Sequence, residues 1–241
     1  MTLPSTDPAL STLHLLGHFN AAFTGAEAEL LEIQRLLSGR RPAKVWSDVA
    51  PHPRYAGQGV ATIQPFSHQF PKDGVLLLSG VHVRPPVWLK YTRFERVVLF
   101  YNLSSHLALF TWIEHVRMAT GLEPELVFVS GMLQQSVGLP GRIARSLIDL
   151  QPLLEAGRER LANDDVPEAA SQAGSPRPFT VGRLSRDALD KHNPEDPMLY
   201  RMLASRGIRV RIMGGTCLAP ALEGVEGVDL LPAGAESATD F

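Results

Sequence analysis

Four short, predominantly apolar runs constrain this chain more than any other feature: Leu13 to Leu16, Val75 to Leu78, Val97 to Phe100 and Leu126 to Val129. Runs of this length suit strands rather than helices. Their continuous rather than alternating hydrophobicity suits a parallel sheet buried on both faces. The stretches between them carry helical spacing. Ala26, Leu30, Ile33 and Leu37 share one face of a first helix, with Gly39 as its stop. Ser104 or Ser105 can cap a second helix that runs through Leu107, Phe110 and Ile113 and ends near Gly121. Strands alternating with helices predict a doubly wound α/β domain.

From Glu155 to Pro178 the chain changes character. Asp164-Asp165, Pro167, several alanines, Gly174, Ser175, Pro176 and Pro178 form a polar stretch rich in structure breakers, which reads as a linker. A second strand–helix–strand pattern begins at Phe179. The expected organisation is therefore an N-terminal Rossmann-like domain over 1–154, a linker over 155–178 and the start of a second Rossmann-like unit over 179–241.

Composition excludes several classes. The 241 residues are 44% hydrophobic and 20% charged, enough for one large or two small globular domains. A net charge of −2 argues against a nucleic-acid partner, which would select a basic surface. The single cysteine, Cys217, leaves no internal disulfide and suits a reducing compartment, so a cytoplasmic location is expected. The N-terminal residues lack the basic and apolar regions of a signal peptide, and no run reaches the length of a membrane helix. A peripheral membrane contact remains compatible with this composition. No spacing of His and Cys suggests a metal site.

The segment Phe179-Thr180-Val181-Gly182-Arg183-Leu184-Ser185-Arg186-Asp187, followed by Lys191-His192-Asn193-Pro194-Glu195-Asp196-Pro197, carries the clearest functional signal. It reads as a short buried strand, a glycine turn with cations and the start of a helix that ends at Gly207. Helix N-termini attract anions. Arg183 and Lys191 add a planar fork and a point charge, a pairing that suits a diphosphate.

This stretch resembles the opening of the second domain of the group 1 (retaining, GT-B fold) glycosyltransferases. The matching parts are Gly182-Arg183-Leu184, the downstream Lys191, a helix around Leu199 to Ser205, and the strand Ile208 to Met213 leading into Gly214-Gly215. The resemblance implies a GT-B-like fold of two Rossmann-like halves facing a cleft. It implies that Gly182, Arg183 and Lys191 hold the donor diphosphate and that Gly214 and Gly215 lie near the nucleotide base. In the family, the second domain continues through further strand–helix units, one carrying a pair of glutamates. The resemblance therefore implies a domain truncated before that acidic pair, with an uncovered apolar sheet face, or completed by a partner chain.

Two places in the first domain have a ligand-site layout. The first strand leads through Gly17-His18-Phe19-Asn20 to Thr24-Gly25-Ala26-Glu27 at a helix start. This lacks the G-x-G-x-x-G pattern, which disfavours a nicotinamide cofactor. It is similar to the family's Gly-Gly-x-Glu turn, which makes Gly25 and Glu27 candidates. A plain helix-start glycine and a glutamate favoured by the helix dipole read equally well. The segment Tyr101 to His106 follows another buried strand and opens a helix at the sheet's carboxyl edge. By resemblance, His106 or Asn102 would face the reacting sugar; by residue chemistry alone the segment is an N-cap cluster.

The resemblance implies a bacterial-type transferase moving a sugar from a nucleotide-diphosphate donor to a saccharide or lipid-linked acceptor, with no metal and no cofactor beyond the donor itself. The alternative class is a non-catalytic nucleotide-binding or interaction module that keeps the fold.

Overall fold

A computed structural model describes residues 10–21, 25–80, 85–102, 106–145, 147, 151–164 and 179–236. The chain divides into two compact units, Met1–Ile148 and Asp149–Phe241. Ser104 and Ser105 lie outside the described residues.

The first unit is built on seven parallel strands in the order β3-β2-β1-β4-β5-β6-β7. Four of them, β1 (Leu13–Gly17), β4 (Asp73–Ser79), β5 (Arg93–Tyr101) and β6 (Glu125–Phe128), carry the four apolar runs, the last of which continues one residue past β6 to Val129. The others are β2 (Ala43–Ser47), β3 (Val60–Thr62) and β7 (Arg142–Ile143), which lie toward the two margins. Leu13↔Ala43 on one side and Leu13↔Val75 on the other set the register of β1. The chain winds outward from β1 through β2 and β3, then returns to β4 on the opposite side. The crevice beyond the carboxyl ends of β1 and β4 is thus a topological switch point, where open α/β sheets bind ligands.

Alternate residues of the central strands feed two separate cores. Leu13, Leu15 and Val75 join Phe19, Leu30 and Val45 in one. Leu16, Leu76, Leu78 and Leu99 join Tyr101, Trp112 and Phe128 in the other. Helix α1 (Gly25–Leu37) closes on β1 at Gly17, where an added Cβ would stand 2.8 Å from Leu30 Cδ1. Helix α2 (His106–Thr120) buries Leu109, Trp112, Ile113 and Val116, and Gly121 follows it at φ +74°. A short helix, α3 (Gly131–Val137), is capped by Ser130, whose hydroxyl accepts the Leu133 N–H at 3.2 Å.

In the second unit, α4 (Gln151–Asp164) forms a helix over the first part of the stretch read as a linker, and 165–178 lies outside the described residues. The three parallel strands β8 (Thr180–Leu184), β9 (Arg209–Met213) and β10 (Val228–Leu231) are ordered β10-β9-β8. Helices α5 (Asp196–Ser205) and α6 (Ala219–Leu222) cover Val210 and Ile212, with Tyr200, Leu218 and Leu222 completing a small core.

The opposite face of that sheet is not the apolar surface expected from the sequence. Strand alternation places Arg209, Arg211 and Asp229 there, and they pair. Arg209 Nη2 lies 2.8 Å from Asp229 Oδ2, and Arg211 Nη2 lies 2.6 Å from Glu236 Oε1. Ion pairing satisfies these charged groups without an apolar cover. Exposed apolar side chains occur on that face at Leu184 and on α5 at Met198, Leu199 and Met202.

Candidate functional site

Gly182 and Arg183 stand inside β8 rather than in a turn. Gly182 pairs with Arg211 and Arg183 with Ile212, and the chain leaves the sheet only after Leu184. Backbone pairing with β9 decides this, against the local preference of glycine for turns. The position directs Arg183 toward α5. Its Nη1 donates to Asp196 Oδ2 at 2.6 Å and to the Tyr200 hydroxyl at 3.0 Å, and its Nη2 donates to the backbone carbonyl of Lys191. Burial works against the charge on Arg183, but Tyr200 and Asp196 outweigh it and hold the guanidinium protonated.

The structure thus brings Arg183 and Lys191 together through the Lys191 carbonyl. Lys191 ends a single 3-10 turn, Leu189–Lys191, and its half-exposed ammonium lies 3.8 Å from Asp190 Oδ2. Arg186 reaches the same carboxylate oxygen at 3.3 Å. Asp196 Oδ2 also accepts the Asn193 N–H at 2.8 Å, which pins the entry to α5. Between positions 183 and 196 three cations (Arg183, Arg186, Lys191) stand against four carboxylates (Asp187, Asp190, Glu195, Asp196). The segment therefore carries no net positive charge.

Gly214 and Gly215 follow β9. Gly214 has φ +80°, and an added Cβ would fall 2.0 Å from the Ser185 carbonyl oxygen. At Gly215 it would fall 2.6 Å from Ile212 Cγ2. Both glycines allow the ends of β8 and β9 to approach. The turn after them is capped by Asp187, which accepts the Thr216 hydroxyl and, at 2.7 Å, the Cys217 N–H. Burial raises the Asp187 carboxyl, but these hydrogen bonds outweigh it and hold it below the ordinary range. Buried His192 lies across both strand ends, with Nε2 at 3.2 Å from the Gly214 carbonyl and 3.2 Å from Ser185 Oγ. A carbonyl only accepts, which assigns the proton to Nε2.

At the carboxyl edge of the first sheet, Glu27 is buried and accepts the His18 N–H at 3.2 Å, so it ties α1 to the loop after β1. Gly25 opens α1 with no side chain or backbone crowding its Cβ position. Asn102 follows β5, and its Oδ1 is buried without a partner among the described residues. His106 begins α2 with Nε2 3.5 Å from Ser136 Oγ.

Sequence reasoning assigned no role to five participants. His18 Nδ1 lies 2.7 Å from Asp48 Oδ1, joining the ends of β1 and β2. Ser79, at the end of β4, is fully buried, and its hydroxyl has no partner among the described residues. Asp196 and Tyr200 hold Arg183, and their i, i+4 spacing on one face of α5 was a signal available in the sequence.

No protein-family model matches the chain, and no curated protein matches its sequence. Among solved structures, the chain is similar to that of Anabaena Alr3699/HepE in complex with UDP and glucose. The two are 12% identical, the match covers 92% of this chain and 69% of the other, and the TM-score is 0.57. The fold is α/β and GT-B-like. At this identity the likeness concerns the fold alone. Among the described residues, no helix is long and apolar enough to cross a membrane, and no group of three or more His, Cys, Asp or Glu is placed to hold a metal ion.

Proposed function

We propose that this protein is a glycosyltransferase of the group 1 (retaining) kind, or part of one, that moves a sugar from a nucleotide-diphosphate donor to a saccharide or lipid-linked acceptor. The observation that carries the reading is the junction of Arg183 and Lys191 at the carboxyl end of β8, beside the entry to α5. The resemblance assigns the donor diphosphate to these two residues, with Gly182 beneath them and Gly214-Gly215 toward the base. A fold shared with a protein crystallised with UDP and glucose supports the same ligand class. Cations fixed before the reaction stabilise a departing diphosphate without reorganising, the kind of contribution that often dominates catalysis. On the first unit, Asn102 and His106 are the candidates to face the sugar, and Gly25 and Glu27 to shape the adjoining loop.

Calorimetry with UDP or GDP tests this. Arg183→Ala and Lys191→Ala should each weaken binding by about 1.5–3 kcal/mol, the value of a hydrogen bond to a charged group. Unchanged affinity in both variants would refute the assignment. A second reading, a non-catalytic nucleotide-binding module, is favoured by the excess of carboxylates around the cations and by the internal bonds of Arg183. Binding of UDP without transfer from any labelled nucleotide sugar would select it. The outer edge of β8, which pairs with β9 alone among the described strands, is where a partner chain could add to the sheet.

A further inference from the structure

Arg183 and Lys191 are not equivalent members of one clamp. A guanidinium has five N–H donors. Two bonds from Nη1 reach Asp196 and Tyr200, and one from Nη2 reaches the Lys191 carbonyl, which leaves Nε and a single Nη2 hydrogen. Each of those three acceptors is itself fixed. Asp196 is held by the Asn193 N–H, Tyr200 is buried in the core of the unit, and the Lys191 carbonyl belongs to a turn closed by Lys191 N–H to Ala188 O and His192 N–H to Leu189 O. Lys191, by contrast, is half-exposed, and among the described residues its ammonium has only Asp190, at 3.8 Å, beside it.

We infer that Lys191 alone of the pair contacts the phosphate, and that Arg183, held by Asp196 and Tyr200, is a positioning residue that fixes the turn carrying Lys191. The inference rests on the nucleotide-diphosphate reading above and assigns the labour within it. A flexible lysine on an open turn would lose affinity to the cost of ordering it, and the Arg183 bracket removes that cost before the ligand arrives. The required feature of Arg183 is then its ability to make three simultaneous bonds in a plane. Its charge is matched by Asp196.

The two roles separate under charge-conserving substitution, measured as UDP affinity by calorimetry and as amide hydrogen exchange at Lys191, His192 and Asn193. Lys191→Arg should keep UDP affinity within about threefold, because the charge remains on an ordered turn. Arg183→Lys should lose about tenfold or more, a single hydrogen bond to a charged group being worth that much. Tyr200→Phe and Asp196→Asn, which never meet the ligand, should weaken UDP binding and speed exchange of the three amides. Neither should weaken binding further in an Arg183→Ala background. Lys191→Ala should weaken UDP binding about tenfold or more and leave exchange unchanged. Affinity retained in Arg183→Lys, or raised in Asp196→Asn, would show Arg183 acting as a ligand cation and overturn the inference. If the unaltered chain binds no UDP, the functional reading fails, and the exchange data alone decide the bracket. Faster exchange in Arg183→Lys and Tyr200→Phe but not in Lys191→Ala supports it, and unchanged exchange overturns it.

Discussion

Trp46 Nε1 donates to His14 Nδ1 across 3.0 Å, joining β2 to β1 beneath the switch point of the first sheet. The bond requires an unprotonated Nδ1, so His14 is the neutral Nε2–H tautomer, and its Nε2 is buried without a partner among the described residues. Burial lowers the His14 pKa below its ordinary 6.5, with Asp73 opposing and Lys44 adding to the effect. The unfolded chain then binds the extra proton before the folded one does. Stability contributed by His14 is complete above about pH 6.5 and falls as the pH drops below it. Thermal melts between about pH 7.5 and about pH 5 should show this loss, with a slope no steeper than roughly 1.4 kcal/mol per pH unit for one proton. His14→Gln, which keeps an acceptor for Trp46, should flatten the profile. An unaltered slope in that variant would remove His14 from the explanation.

Gly214→Ala and Gly207→Ala make an informative pair. Both glycines have positive φ, +80° and +78°. Alanine in that region costs about 1–2 kcal/mol from the backbone alone. Around Gly207 there is open space, whereas at Gly214 the new Cβ would fall on the Ser185 carbonyl. Gly207→Ala should therefore show only the backbone cost in a denaturant titration. Gly214→Ala should exceed it clearly, because the ends of β8 and β9 must separate. Equal costs would mean that the two strand ends are not in forced contact.

The parts of this fold that the sequence displays are those where burial is two-sided. Strands β1, β4, β5 and β6 lie within the sheet and carry predominantly apolar runs, interrupted in β1 by His14. β2, one strand in from the edge as β6 is, mixes Lys44 and Ser47 with Val45 and Trp46 and so leaves no such run, and β7 has only two residues. Gly182 reads locally as a turn because nothing near it reveals its partner Arg211, 29 positions away in β9. The Arg183–Lys191 proximity is legible as short sequence spacing, but the direction of the guanidinium is not. That direction is set by Asp196 and Tyr200, which matter only once α5 packs on β8. The His18–Asp48 pair is likewise created by adjacent strand ends and has no local signature.

Asp187 controls the chemistry of Cys217. Burial raises the Cys217 thiol pKa, and the neighbouring Asp187 raises it further. Asp187→Asn should therefore quicken the reaction of Cys217 with a thiol reagent near pH ~8, where thiolate supply limits the rate. The same substitution removes a charged cap from the Thr216 turn and should cost about 0.5–2 kcal/mol of stability. Because the folded Asp187 pKa is depressed, its contribution is present above the ordinary carboxylate range and is lost as pH falls through the folded value. The cost of Asp187→Asn should accordingly shrink in acid. A cost independent of pH would assign it to shape rather than charge.

Glu29 is a buried carboxylate on α1 that accepts the Leu147 N–H at 2.5 Å, across 118 positions of sequence. The contact ties the first helix to the last residues of the first unit, one step before the boundary at Ile148. A backbone N–H bonded to a carboxylate is worth more than an exposed ion pair when the carboxylate is buried, as Glu29 is, because breaking the bond leaves a buried charge less well satisfied. Glu29→Ala should lower the stability of the first unit by roughly 1.5–3 kcal/mol. Glu29→Gln, which retains an acceptor oxygen, should lose much less. Hydrogen exchange at the Leu147 amide gives the direct readout. It should accelerate strongly in Glu29→Ala and little in Glu29→Gln, while the amides of β4 respond only as far as global stability falls. Equal acceleration of all these amides in Glu29→Ala would mean that Leu147 exchanges only by unfolding of the whole unit and that Glu29 provides no separate fastening there.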